Sequence, residues 1–244
     1  MNCYVISMQN SQRRDDFRQK FTGMQYSFYN AISEDSNLEF KNKIAKSIYG
    51  RNLRNGEIGC TLSHFNLIRK LVASKDEEWS LIIEDDAIPE INFFHFISEF
   101  EDKYLTTEPE VILLGHSKTR KKDLLIQRLK QPLRNYRSIN GYAFGENRHI
   151  SMCGTVSYLI NKAAAEILAD NEYPYWLADD WAMFQNMGLH IYHPKTPLIY
   201  EDLSYTSSTE NDVIYHHNFF REPLKNVIHI IAGQYKFLND SRKI

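Results

Sequence analysis

The sequence predicts an α/β fold in which helices cover a largely parallel central sheet. Short apolar runs alternate with amphipathic segments along the chain, and one of these runs ends in three consecutive carboxylates. Strands that alternate with helices favour a sheet that is buried on both faces. Because no repeat, low-complexity stretch or linker divides the 244 residues, we expect residues 1–244 to form a single domain.

The composition excludes several classes of protein. A net charge of −2 gives no field that would attract a polyanion, so nucleic acid is not an expected partner. Cys3, Cys60 and Cys153 show neither a paired nor a zinc-binding spacing, and we expect free thiols in a reducing cytosol. The N-terminus does not resemble a signal peptide, and no apolar run is long enough to span a membrane. These features predict a cytoplasmic protein.

The first predicted strand is Cys3 to Met8, and a helix from Gln12 to Phe21 follows a short polar loop. Ser11 is expected to cap this helix. A strand, a short loop and a helix N-terminus form an arrangement that binds anions. Arg13 and Arg14 lie at this turn, where they could reach a phosphate or a ribose, or simply form a solvated helix face.

A second strand is predicted from Gln25 to Ala31, followed by a polar stretch, 33–54, with loop and short-helix character. A long helix then opens at Asn55, and its apolar stripe extends to Val72. His64 lies in an early turn of this helix. A histidine there could contact a substrate or have only a structural role.

The most informative stretch is the apolar run Leu81 to Ile83, which leads directly into Glu84, Asp85 and Asp86. Charges cannot follow a strand into the core, so these carboxylates are expected at its carboxyl end, where open α/β sheets bind ligands. Alternation along an extended chain would place Glu84 and Asp86 on one face and Asp85 on the other. Oxygen ligands of this kind suit Mg²⁺ or Mn²⁺ holding a diphosphate. A solvated acidic turn is the alternative.

The middle of the chain predicts a helix from Phe93 to Tyr104 and a strand from Val111 to Leu114. Residues 117–137 then hold eight Lys or Arg and one Asp. This basic segment belongs to a predicted loop region, 117–149, with a short strand from Ile139 to Phe144. Such a segment forms a solvated face, or it contacts an anionic acceptor or a lipid surface.

The second half of the chain continues the alternation. Gly154 lies at the entrance of an apolar run, and Asn161 is expected to cap the helix that follows it. The predicted elements are, in order, the strand Ser151–Ile160, the helices Lys162–Ala169 and Trp181–Met187, and the strands Leu189–Tyr192 and Pro197–Tyr200. Residues 201–244 form a C-terminal extension that ends in a basic amphipathic segment.

A second pair of carboxylates, Asp179 and Asp180, lies in an aromatic cluster about 95 residues beyond the first. A metal that stabilises a departing diphosphate and a carboxylate that accepts a proton are what an inverting sugar transfer requires. Either aspartate could be this base, or either could cap the next helix. The residues alone do not separate these two roles.

Several motifs together resemble glycosyltransferase family 25, the bacterial lipooligosaccharide galactosyltransferases, over roughly residues 3–200. They are Tyr4-Val-Ile-Ser-Met8 with Arg14, Phe28-Tyr-Asn-Ala31, Gly56-Glu-Ile-Gly-Cys-Thr-Leu-Ser-His64, Ile83-Glu-Asp-Asp86 and Gly154-Thr-Val-Ser-Tyr-Leu-Ile160. The resemblance implies a GT-A-type fold, a UDP-sugar donor (most often UDP-galactose), Mn²⁺ or Mg²⁺, and inversion at the anomeric carbon.

The resemblance also implies roles for individual residues. Glu84 and Asp86 match the acidic metal-binding motif, and Asp180 matches the acidic position that favours it over Asp179 as the base. The residues expected to contact the donor are Ile6, Ser7, Arg14, Ala31, Asp85 and Gly154. Asn30 departs from the family pattern, in which an Asp is common. A third metal ligand is left open among His193, His216 and His217.

The resulting hypothesis is a β-galactosyltransferase that extends a lipooligosaccharide or another oligosaccharide acceptor at the cytoplasmic face of the bacterial inner membrane. Peripheral membrane contact is part of this expectation. A sugar-phosphate nucleotidyltransferase is one alternative, although residues 4–14 lack the glycine that its phosphate loop would need. A glycan-binding module is the other, and it would not need Glu84, Asp86 or Asp180.

Overall fold

The computed structural model describes residues 1–33, 39–74, 78–100, 104, 106–147, 154–205 and 223–240. The strands are β1 (Asn2–Ser7), β2 (Ser27–Asn30), β3 (Trp79–Glu84), β4 (Ala87–Pro89), β5 (Glu110–Leu113), β6 (Arg134–Ile139), β7 (Tyr142–Glu146), β8 (Ser157–Asn161), β9 (His190–Pro194) and β10 (Ile199–Glu201). The helices are α1 (Arg13–Lys20), α2 (Asn42–Tyr49), α3 (Asn55–Ala73), α4 (Ile91–Ser98), α5 (Leu124–Lys130), α6 (Lys162–Ala169), α7 (Trp181–Asn186) and α8 (Pro223–Asp240), with a 3₁₀ turn at Lys121–Asp123.

Within the described residues, eight strands form one sheet in the order β2-β1-β3-β8-β5-β9-β7-β6. Strands β7 and β8 run antiparallel to the other six. Strands β4 and β10 pair separately as a short antiparallel ribbon, with Glu201 opposite Ala87. The predicted α/β fold with a mostly parallel central sheet is confirmed.

Helices cover both faces of this sheet, and alternate residues of its strands bury their side chains on opposite sides. In β3, Leu81 and Ile83 pack in one core with the aromatic rings of α1 and α4. Ile82 packs in a second core, with apolar residues of α3, α6 and α7. This double burial explains why the strands read as continuous apolar runs rather than alternating ones.

The basic region is more ordered than the sequence predicted. The predicted loop 117–149 contains helix α5 and the hairpin β6-β7. The single strand predicted from Ile139 to Phe144 is wrong, because Asn140 and Gly141 turn the chain between two strands with φ of 47° and 81°. Two consecutive residues in the left-handed region are typical of a tight hairpin turn, and Asn-Gly is its usual sequence.

Several smaller predictions can be compared with the described residues. Asn161 caps α6 as predicted, by accepting a hydrogen bond from the backbone of Ala164 at 3.0 Å. Gln12 rather than Ser11 occupies the N-cap position of α1, although Ser11 Oγ accepts the Arg13 N–H at 3.2 Å. The helix predicted from Phe93 begins earlier, at Ile91, and α4 ends at Ser98.

Some predictions fall on residues outside the described ranges. They concern Cys153, His216 and His217, together with the first residues of the strand predicted from Ser151, of which β8 forms the part from Ser157. Cys3 and Cys60 are free thiols, as predicted. Among the described helices, none combines the length and apolarity that crossing a bilayer requires.

Candidate functional site

A cavity of about 1290 Å³ opens at the carboxyl ends of β1, β2 and β3. These three parallel strands end side by side at Ser7, Asn30 and Glu84. Of the residues predicted to contact donor or metal, the cavity is lined by Ile6, Ser7, Ala31, Glu84, Asp85, Asp86 and Gly154. Topology therefore gathers most of the predicted site residues at one edge of the sheet.

The acidic triplet does not continue the strand. Strand β3 ends at Glu84, and Asp85 and Asp86 lie in the turn before β4. Arg13 Nη1 is 3.5 Å from Asp85 Oδ1 and 3.3 Å from Asp86 Oδ2. The prediction that alternation would place Asp85 opposite Asp86 is therefore wrong, because both carboxylates reach the same guanidinium nitrogen. Ser7 Oγ also donates to Asp85 Oδ2 at 2.7 Å.

Glu84 is held in place by a buried hydrogen-bond network. His64 Nε2 lies 3.2 Å from Glu84 Oε1, and His64 Nδ1 lies 2.8 Å from the hydroxyl of Tyr158. Thr155 Oγ1 donates to the same Glu84 oxygen. Burial raises the pKa of Glu84, but the hydrogen bond and charge of His64, with help from Thr155 and Arg13, bring that pKa below its ordinary value. His64 thus orients and keeps ionised a carboxylate of the cavity.

The carboxylates of the cavity form a donor set that suits a hard cation. Asp86 Oδ1 is buried and has no hydrogen-bond partner among the described residues. Burial raises the pKa of Asp86 well above its ordinary value, and the charges of Glu84, Glu201 and Asp85 add to this while Arg13 opposes it. An orphaned oxygen among several carboxylates is the environment that a divalent cation with oxygen ligands would relieve.

Glu201 is a cavity residue that the sequence did not single out. It is the last residue of β10, and its Oε2 accepts the backbone N–H of Lys118 at 2.6 Å. The short ribbon β4-β10 brings it next to the acidic turn, where the Asp202 N–H also donates to Asp86 O at 2.7 Å. Burial raises the pKa of Glu201, the Lys118 N–H opposes this, and the charge of Glu84 adds to it. Glu201 and Asp202 directly follow the apolar residues Ile199 and Tyr200, so the signal that could have found Glu201 is the one used at β3, an apolar strand that ends in carboxylates.

A second group of potential ligands shares Glu84. Cys60 and His64, one turn apart on α3, each present a ligand atom within 4.8 Å of the others in a cluster with Glu84. Both ring nitrogens of His64 already have hydrogen-bond partners. Burial raises the pKa of the Cys60 thiol well above its ordinary value, so the sulfur is neutral. Within this cluster His64 orients Glu84. The cluster is less suited to Mg²⁺ or Mn²⁺ than the set of carboxylates at the acidic turn.

Of the three histidines named as possible third ligands, His193 is the one within the described residues, and it lies elsewhere. His193 is buried against His116, with His116 Nε2 3.2 Å from His193 Nδ1 and the rings stacked. Neither ring lines the described cavity. Burial lowers the pKa of both imidazoles, that of His116 to about 4. They form a neutral interior pair.

The two aspartates of the second acidic pair have different surroundings. Asp180 is the N-cap of α7: its Oδ1 accepts the Met183 N–H at 3.1 Å and its Oδ2 accepts the Tyr49 hydroxyl at 2.7 Å. It is not among the described residues that line the cavity, whereas Asp179 is. Asp179 Oδ2 accepts the Gly154 N–H at 2.9 Å, and burial raises the pKa of Asp179 above its ordinary value.

Gly154 meets a steric requirement at this position. Its φ is 110°, in the left-handed region that favours glycine, and a Cβ there would collide with Ser117. Trp181 Nε1 donates to Gly154 O at 3.2 Å, so both backbone polar groups of Gly154 are bonded. These contacts fix the loop before β8 against Asp179.

The adjacent arginines have separate roles. Arg14 Nη2 donates to Ser7 O at 3.1 Å and to Asn30 Oδ1 at 2.6 Å, and so ties the ends of β1 and β2 together. Arg14 does not line the cavity that the described residues enclose, whereas Arg13 does. Both residues lie at the turn that the sequence predicted. As neighbours on α1, however, their side chains leave the helix in different directions. Asn30, which stands where the resemblance makes an Asp common, thus serves as a partner of Arg14.

The far side of the cavity is formed by α5 and α8. Its lining residues there include Ile126, Gln127, Lys130, Gln131, His229, Ala232, Gly233 and Lys236. This side combines amide and cationic groups with an aliphatic chain and carries no carboxylate besides Asp123 among the described lining residues. The cavity thus has an acidic end at the strand termini and a neutral to basic end at the two helices.

Comparison with known proteins identifies the class. The model of glycosyltransferase family 25, described as LPS biosynthesis proteins, matches residues 1–183. The chain belongs to this family and is thus a member of a glycosyltransferase family, as the motifs predicted. No protein of curated function matches the sequence at a significant level.

Solved structures show distant similarity. A197 from STIV is 15% identical over 89% of this chain and all of its own, with a TM-score of 0.41. A glycosyltransferase involved in the glycosylation of the major capsid of PBCV-1 is 10% identical, over 85% of this chain and 97% of its own, with a TM-score of 0.42. The galactosyltransferase LgtC, in complex with donor and acceptor sugar analogs, is 11% identical over 78% of this chain and 73% of its own, with a TM-score of 0.32.

Proposed function

We propose that the protein is an inverting, divalent-cation-dependent galactosyltransferase. It moves galactose from UDP-galactose to a hydroxyl of a lipooligosaccharide or similar surface glycan. The observation that carries this proposal is the grouping of Glu84, Asp85, Asp86 and Glu201 in one cavity with a separate carboxylate, Asp179. Family membership supports the reaction class, and the division of carboxylates supports the mechanism.

The acidic end of the cavity suits the diphosphate of the donor. Asp86, with Glu84 and Glu201, would hold Mn²⁺ or Mg²⁺, which neutralises the diphosphate and stabilises the charge on departing UDP. His64 and Thr155 keep Glu84 in one orientation, so this ligand needs little reorganisation on binding. We assign the third protein ligand to Glu201, which the ribbon β4-β10 brings next to the acidic turn, in place of His193, which does not line the cavity.

Arg13 supplies positive charge at this end. Its guanidinium lies on Asp85 and Asp86, with its Cζ 4.7 Å from the ring centroid of Tyr205. Arg13 would give up Asp85 and Asp86 to a bound cation, and its guanidinium would then be free to face the diphosphate. Ser7, with Ile6 and Ala31, lines the same end and would contact the nucleoside.

Asp179 is the proposed base, in preference to Asp180. The acceptor oxygen attacks the anomeric carbon, the bond from that carbon to the diphosphate oxygen breaks, UDP leaves with the electron pair, and the acceptor proton moves to Asp179. Burial makes Asp179 more basic than an exposed aspartate, which favours proton uptake near neutral pH. Asp180 has both oxygens engaged in holding α7 and Tyr49, and it is better suited to position its neighbour.

The experiment that tests the proposal measures UDP release from a panel of UDP-sugars, with a deacylated lipooligosaccharide acceptor and Mn²⁺. Acceptor-dependent release that is strongest with UDP-galactose and abolished by EDTA is expected, with a β-linked product. Release with another UDP-sugar alone would overturn the donor assignment. Glycan binding without turnover from any UDP-sugar would overturn the enzyme and favour a binding module, and pyrophosphate release from a sugar phosphate and UTP would favour a nucleotidyltransferase.

The proposed location follows from the substrates. A cytosolic UDP-sugar and a lipid-linked acceptor meet at the cytoplasmic face of the bacterial inner membrane, where a peripheral protein would work. Fractionation of the native cells tests this location. Recovery of the protein in the cytoplasm and on inner-membrane vesicles is expected, and recovery outside the inner membrane would contradict it.

A further inference from the structure

The last described helix, α8, has an exposed apolar stripe. Leu224, Ile228, Ile231, Tyr235 and Leu238 follow at alternating intervals of four and three residues, which places them on one helix face. With Val227 on the same side, their exposed fractions range from 41% to 74%. These six side chains form a contiguous exposed apolar surface, and such surfaces mark interaction sites with proteins or membranes.

The opposite face of α8 packs against the protein and therefore fixes the stripe outward. Asn226 is buried there, and Gly233 lies so close to Lys130 of α5 that a Cβ would collide with its carbonyl oxygen. Arg134 Nη2 donates to Phe237 O at 2.8 Å and the guanidinium stacks on the Phe237 ring. These contacts set the rotation of the helix about its axis.

Helix α5 widens the apolar surface. Gln234 Nε2 donates to Leu129 O at 2.7 Å, one helical turn from both Ile231 and Leu238. Leu129 and Leu125, one turn apart on α5, are 40% and 68% exposed. The two helices thus present an apolar face about 21 Å long, taking a rise of 1.5 Å per residue from Leu224 to Leu238 of α8.

The charge around this face is positive. Residues 118–137, which contain α5, hold eight Lys or Arg and one Asp, on a chain whose net charge is −2. Lys121 pairs with Glu90 and Arg137 with Glu110, and the remaining surplus is still cationic. On α8, Lys225 and Lys236 are exposed. Two copies of this face would repel each other, whereas anionic lipid headgroups would attract it.

We propose that the apolar stripe of α8, with Leu125 and Leu129, docks in the plane of an anionic lipid bilayer. Amphipathic helices with a cationic border bind membranes in this way, by burying the apolar face at the level of the headgroups. His229 and Lys236, on the flank of the same helix, line the cavity. A docked bilayer would therefore lie beside the neutral to basic end of the cavity. That this position serves an acceptor held in the bilayer rests on the proposed function, which includes a lipid-linked acceptor.

Vesicle flotation of the full chain tests this docking directly. The protein should float with vesicles of phosphatidylethanolamine and phosphatidylglycerol in a 3:1 ratio, and much less with phosphatidylcholine vesicles or in high salt. The variant Ile228→Ser/Ile231→Ser should partition at least about tenfold more weakly, because two apolar side chains no longer enter the bilayer. The control Ile44→Ser/Ile48→Ser removes two exposed isoleucines one turn apart on α2 and should float like the wild type.

The proposal would be overturned if the protein did not float with anionic vesicles, or if the Ile228/Ile231 variant floated as well as the wild type. It would also be overturned if sedimentation velocity showed a stable dimer for the wild type and a monomer for this variant. The last result would assign the stripe to a second copy of the chain. Flotation does not depend on turnover, so failure of docking and failure of the proposed reaction are distinguishable. Where the reaction holds, the Ile228/Ile231 variant should keep its turnover with the deacylated acceptor and lose it with acceptor embedded in vesicles.

Discussion

The backbone N–H of Gly154 donates a hydrogen bond to Asp179 Oδ2 at 2.9 Å. This contact joins the loop before β8 to the residue immediately before the cap of α7, and it orients one carboxylate of the second acidic pair toward the cavity. The neighbouring Asp180 is turned away into the helix cap and Tyr49. Adjacent residues of the same type thus face different environments, and the predictions for them differ accordingly.

Replacing Asp179 with Asn should remove turnover and leave donor binding intact. The amide keeps the size of the side chain but cannot accept the acceptor proton, so we expect kcat to fall about 10²- to 10⁴-fold. UDP affinity, measured by calorimetry with Mn²⁺, should change little. Asp180→Asn is the matched control: asparagine caps a helix about as well as aspartate, so kcat should stay near the wild-type value and the loss of stability should be below about 1 kcal/mol. A larger loss of kcat in Asp180→Asn would return the base to Asp180.

Replacing Asp86 with Asn should weaken binding of Mn²⁺ to the nucleotide complex. Asp86 Oδ1 lacks a partner among the described residues, and an uncharged amide no longer offers a cation a full charge. Electron paramagnetic resonance of free Mn²⁺ in the presence of UDP measures the change, for which we expect a loss of at least about tenfold. Asp15→Asn, on the exposed side of α1, is the control. Wild-type affinity in Asp86→Asn would show that the cation does not use this carboxylate.

Replacing Arg13 with Gln should strengthen binding of Mn²⁺ in the absence of nucleotide. Arg13 is within 3.5 Å of both Asp85 and Asp86, so it competes with a cation for their charge. The same titration without UDP should therefore show a lower dissociation constant. Arg14→Gln is the control, because it removes an equal charge from the neighbouring residue. The Arg14 side chain is bonded to Ser7 and Asn30 rather than to the carboxylates, so this variant should have less effect. Weaker Mn²⁺ binding in Arg13→Gln would contradict this competition.

Acid should destabilise the protein through the buried pair His116 and His193. Burial lowers the pKa of His116 from 6.5 to about 4, so between these values the unfolded chain binds a proton that the folded chain excludes. The free energy of unfolding therefore falls as the pH drops from 6.5, by about 3 kcal/mol from His116 alone at pH 4. Above pH 6.5 this group has no effect on the slope.

Urea unfolding at a series of pH values measures this dependence. His116→Gln should lower the slope between pH 6.5 and 4, whatever its effect on stability at pH 7. His95→Gln is the control, because the His95 side chain is 63% exposed and lies at the surface beside Glu99. An unchanged slope in His116→Gln would mean that the interior pair is not the acid-sensitive element.

Much of the fold could be predicted because it depends on local patterns. The apolar run 81–83 is buried on both faces, and the carboxylates that follow it must leave the core. A few neighbouring residues therefore predict both the strand and the edge of the sheet at which the site lies. Asn161 could be recognised as a cap for the same reason, since its partner is three residues away. The helix and hairpin of the basic segment could not be predicted in this way, because only two of its eight Lys or Arg lie on α5, and because α5 packs on α8 and β7 pairs with β9, both far along the chain.

The sequence by itself determined the fold class, the family and the position of the acidic triplet at a strand end, since each depends on neighbouring residues. Only the tertiary structure decided that Arg13 rather than Arg14 reaches the carboxylates, that Glu201 joins them, and that Asp179 rather than Asp180 lines the cavity. These outcomes depend on contacts between segments 70 to more than 100 residues apart, such as Arg13 with Asp85 and Tyr49 with Asp180. A side chain's role there is set by packing and register, which no local pattern encodes.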